Sequence, residues 1–282
     1  MSTRLRSPIQ WFGGKQAMAA KLLPLFPDHR TYVEPFGGGG SLLISKEPSP
    51  VEVYNDLNAD LVNFFRVLRD PILFPNFYNR AWLSPFSREE YLFCRDHLNE
   101  DPSPAERARR FFVLARFSFS GLVGKSFGIN IASSSGGMVE KVSAYRNILC
   151  VLPLIAERLS RAEIECRDFR QIIKIYDRPE TFFYLDPPYV PSTRKCGGYA
   201  HEMTEQDHQE LVELLRGIQG KAMLSGYHNE LYDSLGWRRM EWQVNCSAVG
   251  RTRATGLQGV GVMGEAQKRT ECIWMNYEIP SN

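Results

Sequence analysis

The stretch Tyr32-Val33-Glu34-Pro35-Phe36-Gly37-Gly38-Gly39-Gly40-Ser41 decides how the rest of the chain is read. A short apolar strand over 32–34 runs straight into four glycines, and the segment from Ser41 to Pro48 reads as a short helix. Glycines after a strand allow a tight turn and let the backbone come close to a ligand, as in nucleotide-binding α/β folds. The spacing is not G-x-G-x-x-G, because Ser41 and Leu42 follow the last glycine, and this disfavours a nicotinamide dinucleotide site.

Outward from that turn, short apolar strands alternate with helical patterns, the signature of βαβ units. Strands are predicted over 51–54, 163–166, 182–185 and 221–224. Near the C-terminus 238–245 and 270–277 both look extended, and the Gly-rich link 250–264 between them carries no helical pattern, which suggests an antiparallel pair. The expected architecture is α/β with a mostly parallel sheet. Between the second and third strands only helix signals occur: the stripe Leu61, Phe64, Phe65, Leu68 before Pro71, and capping boxes at Ser87-Arg88-Glu89-Glu90 and Ser103-Pro104-Ala105-Glu106. A helical insertion over 59–159 is therefore expected to interrupt a catalytic domain made of 1–58 and 160–282. A Gly/Ser-rich loop over 118–137 breaks the insertion.

At 282 residues, with 43% hydrophobic and 23% charged residues, the chain has room for one such domain with its inserted lobe and lacks the composition of a disordered or fibrous protein. Nothing resembles a secretory signal or a membrane span, and the expectation is a cytoplasmic protein. The net charge of +2 is uninformative, but 106–146 holds seven basic against two acidic residues. Such a segment is either a solvated helix face or a surface for a polyanion. The six cysteines show no C-x-x-C pair and the five histidines no i, i+4 pair, so no disulfide framework or metal site is expected.

Two further motifs carry chemistry. Asn55-Asp56 closes the second strand twenty-two residues after Glu34, where a carboxylate can accept both hydroxyls of a ribose. Asn-Asp is also a good turn, and Asn58 a good helix cap. Asp186-Pro187-Pro188-Tyr189 follows the apolar strand at 182–185. Two prolines fix the backbone and remove two donors, so a carboxylate, a peptide carbonyl and an aromatic plane are presented together at a strand end. That set matches the two N–H groups and the π-face of an amino-substituted base.

The ordered set Trp11-Phe12-Gly13-Gly14-Lys15, Val33 to Ser41, Asn55-Asp56-Leu57-Asn58, Asp168-Phe169 and Asp186-Pro187-Pro188-Tyr189 resembles the Dam-like family of N6-adenine DNA methyltransferases. The resemblance implies a Rossmann-like, seven-stranded mixed sheet with an inserted helical recognition lobe, S-adenosyl-L-methionine as cofactor and double-stranded DNA as partner. It calls for no membrane and no obligate protein partner. It places the cofactor against Trp11, Gly14 and Lys15, with the Lys15 ammonium on the methionine carboxylate. Further contacts would come from Glu34, Pro35, Phe36, Gly37, Gly39 and Ser41, from Asp56 at the ribose, from Asp168 and Phe169 around the adenine, and from Asp186. The family usually has a non-glycine among the loop glycines, so Gly37 to Gly40 would make this loop more mobile.

In the implied reaction Asp186 and the Pro187 carbonyl each accept one N6 hydrogen of a flipped adenine, with Pro188 fixing the turn and Tyr189 stacking on the ring. The duplex would lie against the insertion, with Arg107, Arg109, Arg110, Arg116 and Lys125 as phosphate contacts and the loop with Asn130 reading bases. Arg194, Lys195, Arg251 and Arg253 would add backbone contacts. N4-cytosine methylation, methylation of RNA or of a protein amide, and a DNA-binding module without activity are the competing readings.

Overall fold

The computed structural model describes residues 5–100, 102–129, 134–135, 137–190, 201–245 and 268–280. Seven strands form one sheet: β1 (Thr31–Glu34), β2 (Val51–Asn55), β5 (Glu163–Glu165), β6 (Thr181–Leu185), β7 (Lys221–Tyr227), β8 (Arg238–Asn245) and β9 (Lys268–Met275). The two-residue strands β3 (Ser134–Ser135) and β4 (Met138–Val139) pair separately. The sheet order is β5-β2-β1-β6-β7-β9-β8. All neighbours are parallel except at β9, which runs against both β7 and β8. The mostly parallel sheet with an antiparallel strand near its end is thus the one expected from the sequence.

The chain builds outward from β1 to β2 and β5 on one side, and β6 and β7 lie on the other. Strand order reverses between β1 and β6, and loops leaving the carboxyl ends of two such strands open a crevice. Both the glycine turn and Asp186-Pro187-Pro188-Tyr189 leave strands at that point.

Alternation along the strands divides the core in two. Tyr32, Tyr54, Phe182 and Tyr184 face the insertion, while Val33, Val53, Phe183 and Leu185 face α8 (Phe169–Tyr176) and α9 (Glu205–Arg216). After the short helices α1 (Ala19–Leu22) and α2 (Ser41–Ser45), the insertion comprises α3 (Ala59–Arg69), α4 (Leu73–Leu83), α5 (Arg88–His97), α6 (Pro104–Phe117) and α7 (Glu140–Leu159). Asn58, Ser87 and Ser103 cap α3, α5 and α6 with their side chains. These helices share one continuous core with the sheet, Phe64 and Phe112 packing in the same cluster as Tyr54. The 59–159 segment is therefore an insertion in topology without a separate core. A buried ion cluster fastens it: Glu52 on β2 accepts from Lys46 (2.6 Å) and from both ends of the Arg158 guanidinium (2.5 and 2.8 Å).

Candidate active site

A cleft of about 1060 Å³, partly open to solvent, lies over the carboxyl ends of β1, β2 and β6. All the cofactor contacts expected from the sequence line it: Trp11, Gly14, Lys15, Glu34, Pro35, Phe36, Gly37, Gly39, Ser41, Asp56, Asp168, Phe169 and Asp186. Pro188 lines it too, and Tyr189 stands just behind. The segments come together because three strand ends are in register and the Asn55 side chain ties their loops. Its amide donates to the carbonyls of Pro35 (2.8 Å) and Arg167 (2.9 Å), and its oxygen accepts from the Arg167 N–H (2.8 Å).

The glycine turn is firmly held, in contrast to the mobile loop expected. Gly37 N–H donates to the Asn55 carbonyl (2.7 Å), Gly38 N–H to Asp56 Oδ2 (2.9 Å), the Tyr54 hydroxyl to the Gly38 carbonyl (2.7 Å) and the Ser7 hydroxyl to the Gly39 carbonyl (2.6 Å). A Cβ at Gly37 would run into the Tyr54 ring, and one at Gly38, whose φ is +49°, would lie 2.9 Å from the Trp11 ring. Closeness requires glycine at Gly37, closeness and a positive φ require it at Gly38, and a φ of +64° favours it at Gly40. Asp56 Oδ1 accepts from the Asn58 N–H (2.8 Å). Burial raises the Asp56 carboxyl above its ordinary range, an effect opposed by the N–H groups of Asn58 and Gly38.

Glu34 is 2% exposed, and burial pushes its carboxyl up to about 7 although Oε1 accepts from the Tyr32 hydroxyl (2.7 Å) and the Leu43 N–H (2.8 Å). The folded state binds this proton more tightly than the unfolded chain, whose glutamate titrates near 4.5. Stability from Glu34 is therefore full below about pH 4.5 and is lost as pH rises through about 7. Glu34→Gln, with no such titration, should flatten the decline and gain about 2–3 kcal/mol on wild type between pH 5 and pH 8. Urea unfolding at the two pH values checks this, and an unchanged pH dependence in the variant would contradict it.

At the other wall the Lys15 ammonium is buried. It lies 2.7 Å from each Asp186 oxygen, 2.7 Å from the Tyr189 hydroxyl and 3.2 Å from the Gly13 carbonyl. Lys15, expected at a cofactor carboxylate, lines the cleft and is ion-paired with Asp186 of the Asp-Pro-Pro-Tyr turn. Ser225 on β7 donates to Asp186 Oδ1 (2.8 Å), and Tyr227 meets the Tyr189 ring edge-on at 4.6 Å. Glu271 on β9 accepts from the Tyr189 hydroxyl and lies 3.3 Å from the Lys15 ammonium. Ser225, Tyr227 and Glu271 escape sequence reasoning. Glu271 had a signal, a carboxylate heading the apolar run Cys272-Ile273-Trp274-Met275.

Phe36 and Phe169 stand 5.2 Å apart along the cleft. Asp168 spends its carboxylate locally, capping α8 through the Arg170 N–H and pairing with the Arg170 guanidinium (both 2.8 Å). Arg170 also pairs with Asp207 and Glu210 of α9. His201, Glu202 and Met203 contribute a further wall that no local motif announces.

The basic residues of the insertion are placed otherwise than expected. α6 is the central helix of the lobe, touching α3, α4 and α5, so its charged positions fall between helices. Arg109 is 8% exposed and paired with Glu90 and Glu106. Arg110 pairs with Glu106 (3.0 Å) and Arg107 with Asp60 (2.5 Å). Arg116 donates to the Ala144 carbonyl (3.1 Å), and its Nε is buried. Arg109, Arg110 and Arg116 serve as internal ties, Arg107 is paired but partly exposed, and Lys125 is exposed. Asn130, Arg194, Lys195, Arg251 and Arg253 lie outside the described residues. Among the described residues there is no cluster of three metal-ligating side chains and no helix long and apolar enough to cross a membrane.

A reversed strand order, a glycine floor, the Asp56 carboxylate at the end of the second strand and an Asp-Pro-Pro-Tyr turn facing one cleft define an α/β enzyme of the Rossmann-like methyltransferase class. The family model for the D12 class N6 adenine-specific DNA methyltransferases matches residues 11–246, and the chain belongs to that family. It is 26% identical to a DNA adenine methylase of Vibrio cholerae over 91% of this chain and 92% of that one. It is 28% identical to a type II methyltransferase, M1.LlaDCHI, of Lactococcus lactis over 97% of this chain and 96% of that one. A DNA N-6-adenine-methyltransferase of Escherichia phage P1 is 29% identical over 83% of this chain, which spans only 32% of the phage protein.

Proposed function

We propose that this chain transfers a methyl group from S-adenosyl-L-methionine to the N6 amine of an adenine flipped out of duplex DNA. The observation that carries the reading is Asp186, held by Lys15 and Ser225 at the cleft with Tyr189 fixed beside it. The cleft suits a nucleoside carrying a positive charge. Asp56 offers its carboxylate next to a closely packed glycine floor, Phe36 and Phe169 offer apolar faces, and Asp186 offers a second carboxylate. When bound, the cofactor supplies a methyl group on a sulfonium leaving group.

The protein's task is orientation. The N6 lone pair is delocalised into the purine, so the amine must be drawn toward tetrahedral geometry before it can attack. A carboxylate has about four lone-pair sites. Lys15 and Ser225 occupy part of those on Asp186, leaving capacity for one N6 hydrogen, and the Pro187 carbonyl takes the second. Tyr189 presents its ring to the base. Fixed acceptors need no rearrangement as charge develops on the nitrogen. A base inside a duplex cannot reach this turn and must be extruded, at a cost of a few kcal/mol.

Incubating the protein with duplex DNA and methyl-labelled cofactor, then digesting to nucleosides, tests the reading. The label should appear as N6-methyladenine; label in cytosine, or none, would contradict it. For the DNA surface, the loop over 118–129 with exposed Lys125 is the described candidate. Lys125→Ala should lower duplex affinity and reduce the slope of log affinity against log salt by about 0.9. An unchanged slope would remove Lys125 from the interface.

A further inference from the structure

We propose that Glu271, on the strand antiparallel to its neighbours, is a positioning residue for methyl transfer, acting through Tyr189 and Lys15; this rests on the function proposed above. Glu271 is 5% exposed and opens a strand segment in which Cys272, Ile273, Trp274 and Met275 are at most 1% exposed. A carboxylate in that setting is costly unless it is paired. Its partners are two groups of the site: the Tyr189 hydroxyl, which donates to it, and the Lys15 ammonium at 3.3 Å.

Lys15, Tyr189 and Glu271 close a ring, and Asp186 joins it through Lys15. Lys15 reaches Asp186 and the Tyr189 oxygen at 2.7 Å, and the Tyr189 hydroxyl donates a hydrogen bond to Glu271. Residues from the N-terminal segment, the Pro-Pro turn and the last strand are thereby fixed against one another. The phenol is held at both its donor and its acceptor side, and Tyr227 meets its ring edge-on, so the plane on which a base would stack has one orientation.

Charge supports the same role. Lys15 alone balances the charge of Asp186, so a purely structural pair needs no second carboxylate. With Glu271 present, one ammonium is shared by two carboxylates. The demand of Lys15 on Asp186 is weakened, leaving the latter a better acceptor for an amine hydrogen.

Glu271→Gln keeps the shape and removes the charge. The expected result is a 10- to 100-fold loss of kcat, with KM for the cofactor and its affinity by calorimetry changed less than threefold. Tyr189→Phe cuts the same link from the other end, and the double variant should be no slower than the slower single one. A kcat for Glu271→Gln within threefold of wild type, a parallel loss of cofactor affinity, or additive effects in the double variant would overturn the proposal. Should Glu271→Gln fail to fold, Tyr189→Phe decides: a kcat within threefold of wild type would likewise overturn it. Absence of adenine methylation by the wild-type protein would refute the proposed function, whereas wild-type methylation with an unaffected variant would refute only the role of Glu271.

Discussion

Asp186→Ala should reduce methyl transfer by about 10³-fold or more, the scale seen when a fixed partner of a developing charge is removed from an enclosed site. Two losses combine in the variant. The N6 hydrogens lose their carboxylate acceptor, and Lys15, which had both Asp186 oxygens at 2.7 Å, keeps Glu271, Tyr189 and the Gly13 carbonyl. The protein should still fold, because the ammonium keeps those partners and the turn is set by its prolines. Single-turnover transfer of labelled methyl groups measures the effect, with thermal unfolding as the control. Turnover within tenfold of wild type would show that Asp186 is not the acceptor.

Asp56→Ala should weaken cofactor binding by about ten- to hundredfold, since a hydrogen bond to a charged group contributes about 1.5–3 kcal/mol. Asp56 does two jobs. Its oxygens accept from the N–H groups of Gly38 and Asn58, which shapes the glycine floor, and its carboxylate faces the cleft. The loss should therefore appear in cofactor affinity by calorimetry far more than in the single-turnover rate at saturating cofactor. Unchanged affinity would place the ribose elsewhere.

Legibility in the sequence followed the range of the interactions. The glycine turn and the Asp-Pro-Pro-Tyr turn could be read because each is local: a strand, then residues whose backbone constraints fix the exit. The caps Asn58, Ser87 and Ser103 are local in the same way. Packing decided the rest. Counting seven basic residues in 106–146 could not reveal that Arg109 and Arg110 converge on Glu106, since that depends on α6 lying in the middle of the lobe. Four glycines suggested looseness, yet the Tyr54 ring and Asp56 pin them from the neighbouring strand. Glu271 is 256 residues from Lys15 and 82 from Tyr189, and only strand order brings the three together.

The most direct test is the structure of the protein bound to a non-reactive analogue of the methyl donor and to a duplex carrying the methylated site. The account predicts an extruded adenine whose N6 lies within hydrogen-bond distance of both an Asp186 oxygen and the Pro187 carbonyl, its ring against Tyr189. An adenine that remained stacked in the duplex, or an N6 that met neither acceptor, would contradict it.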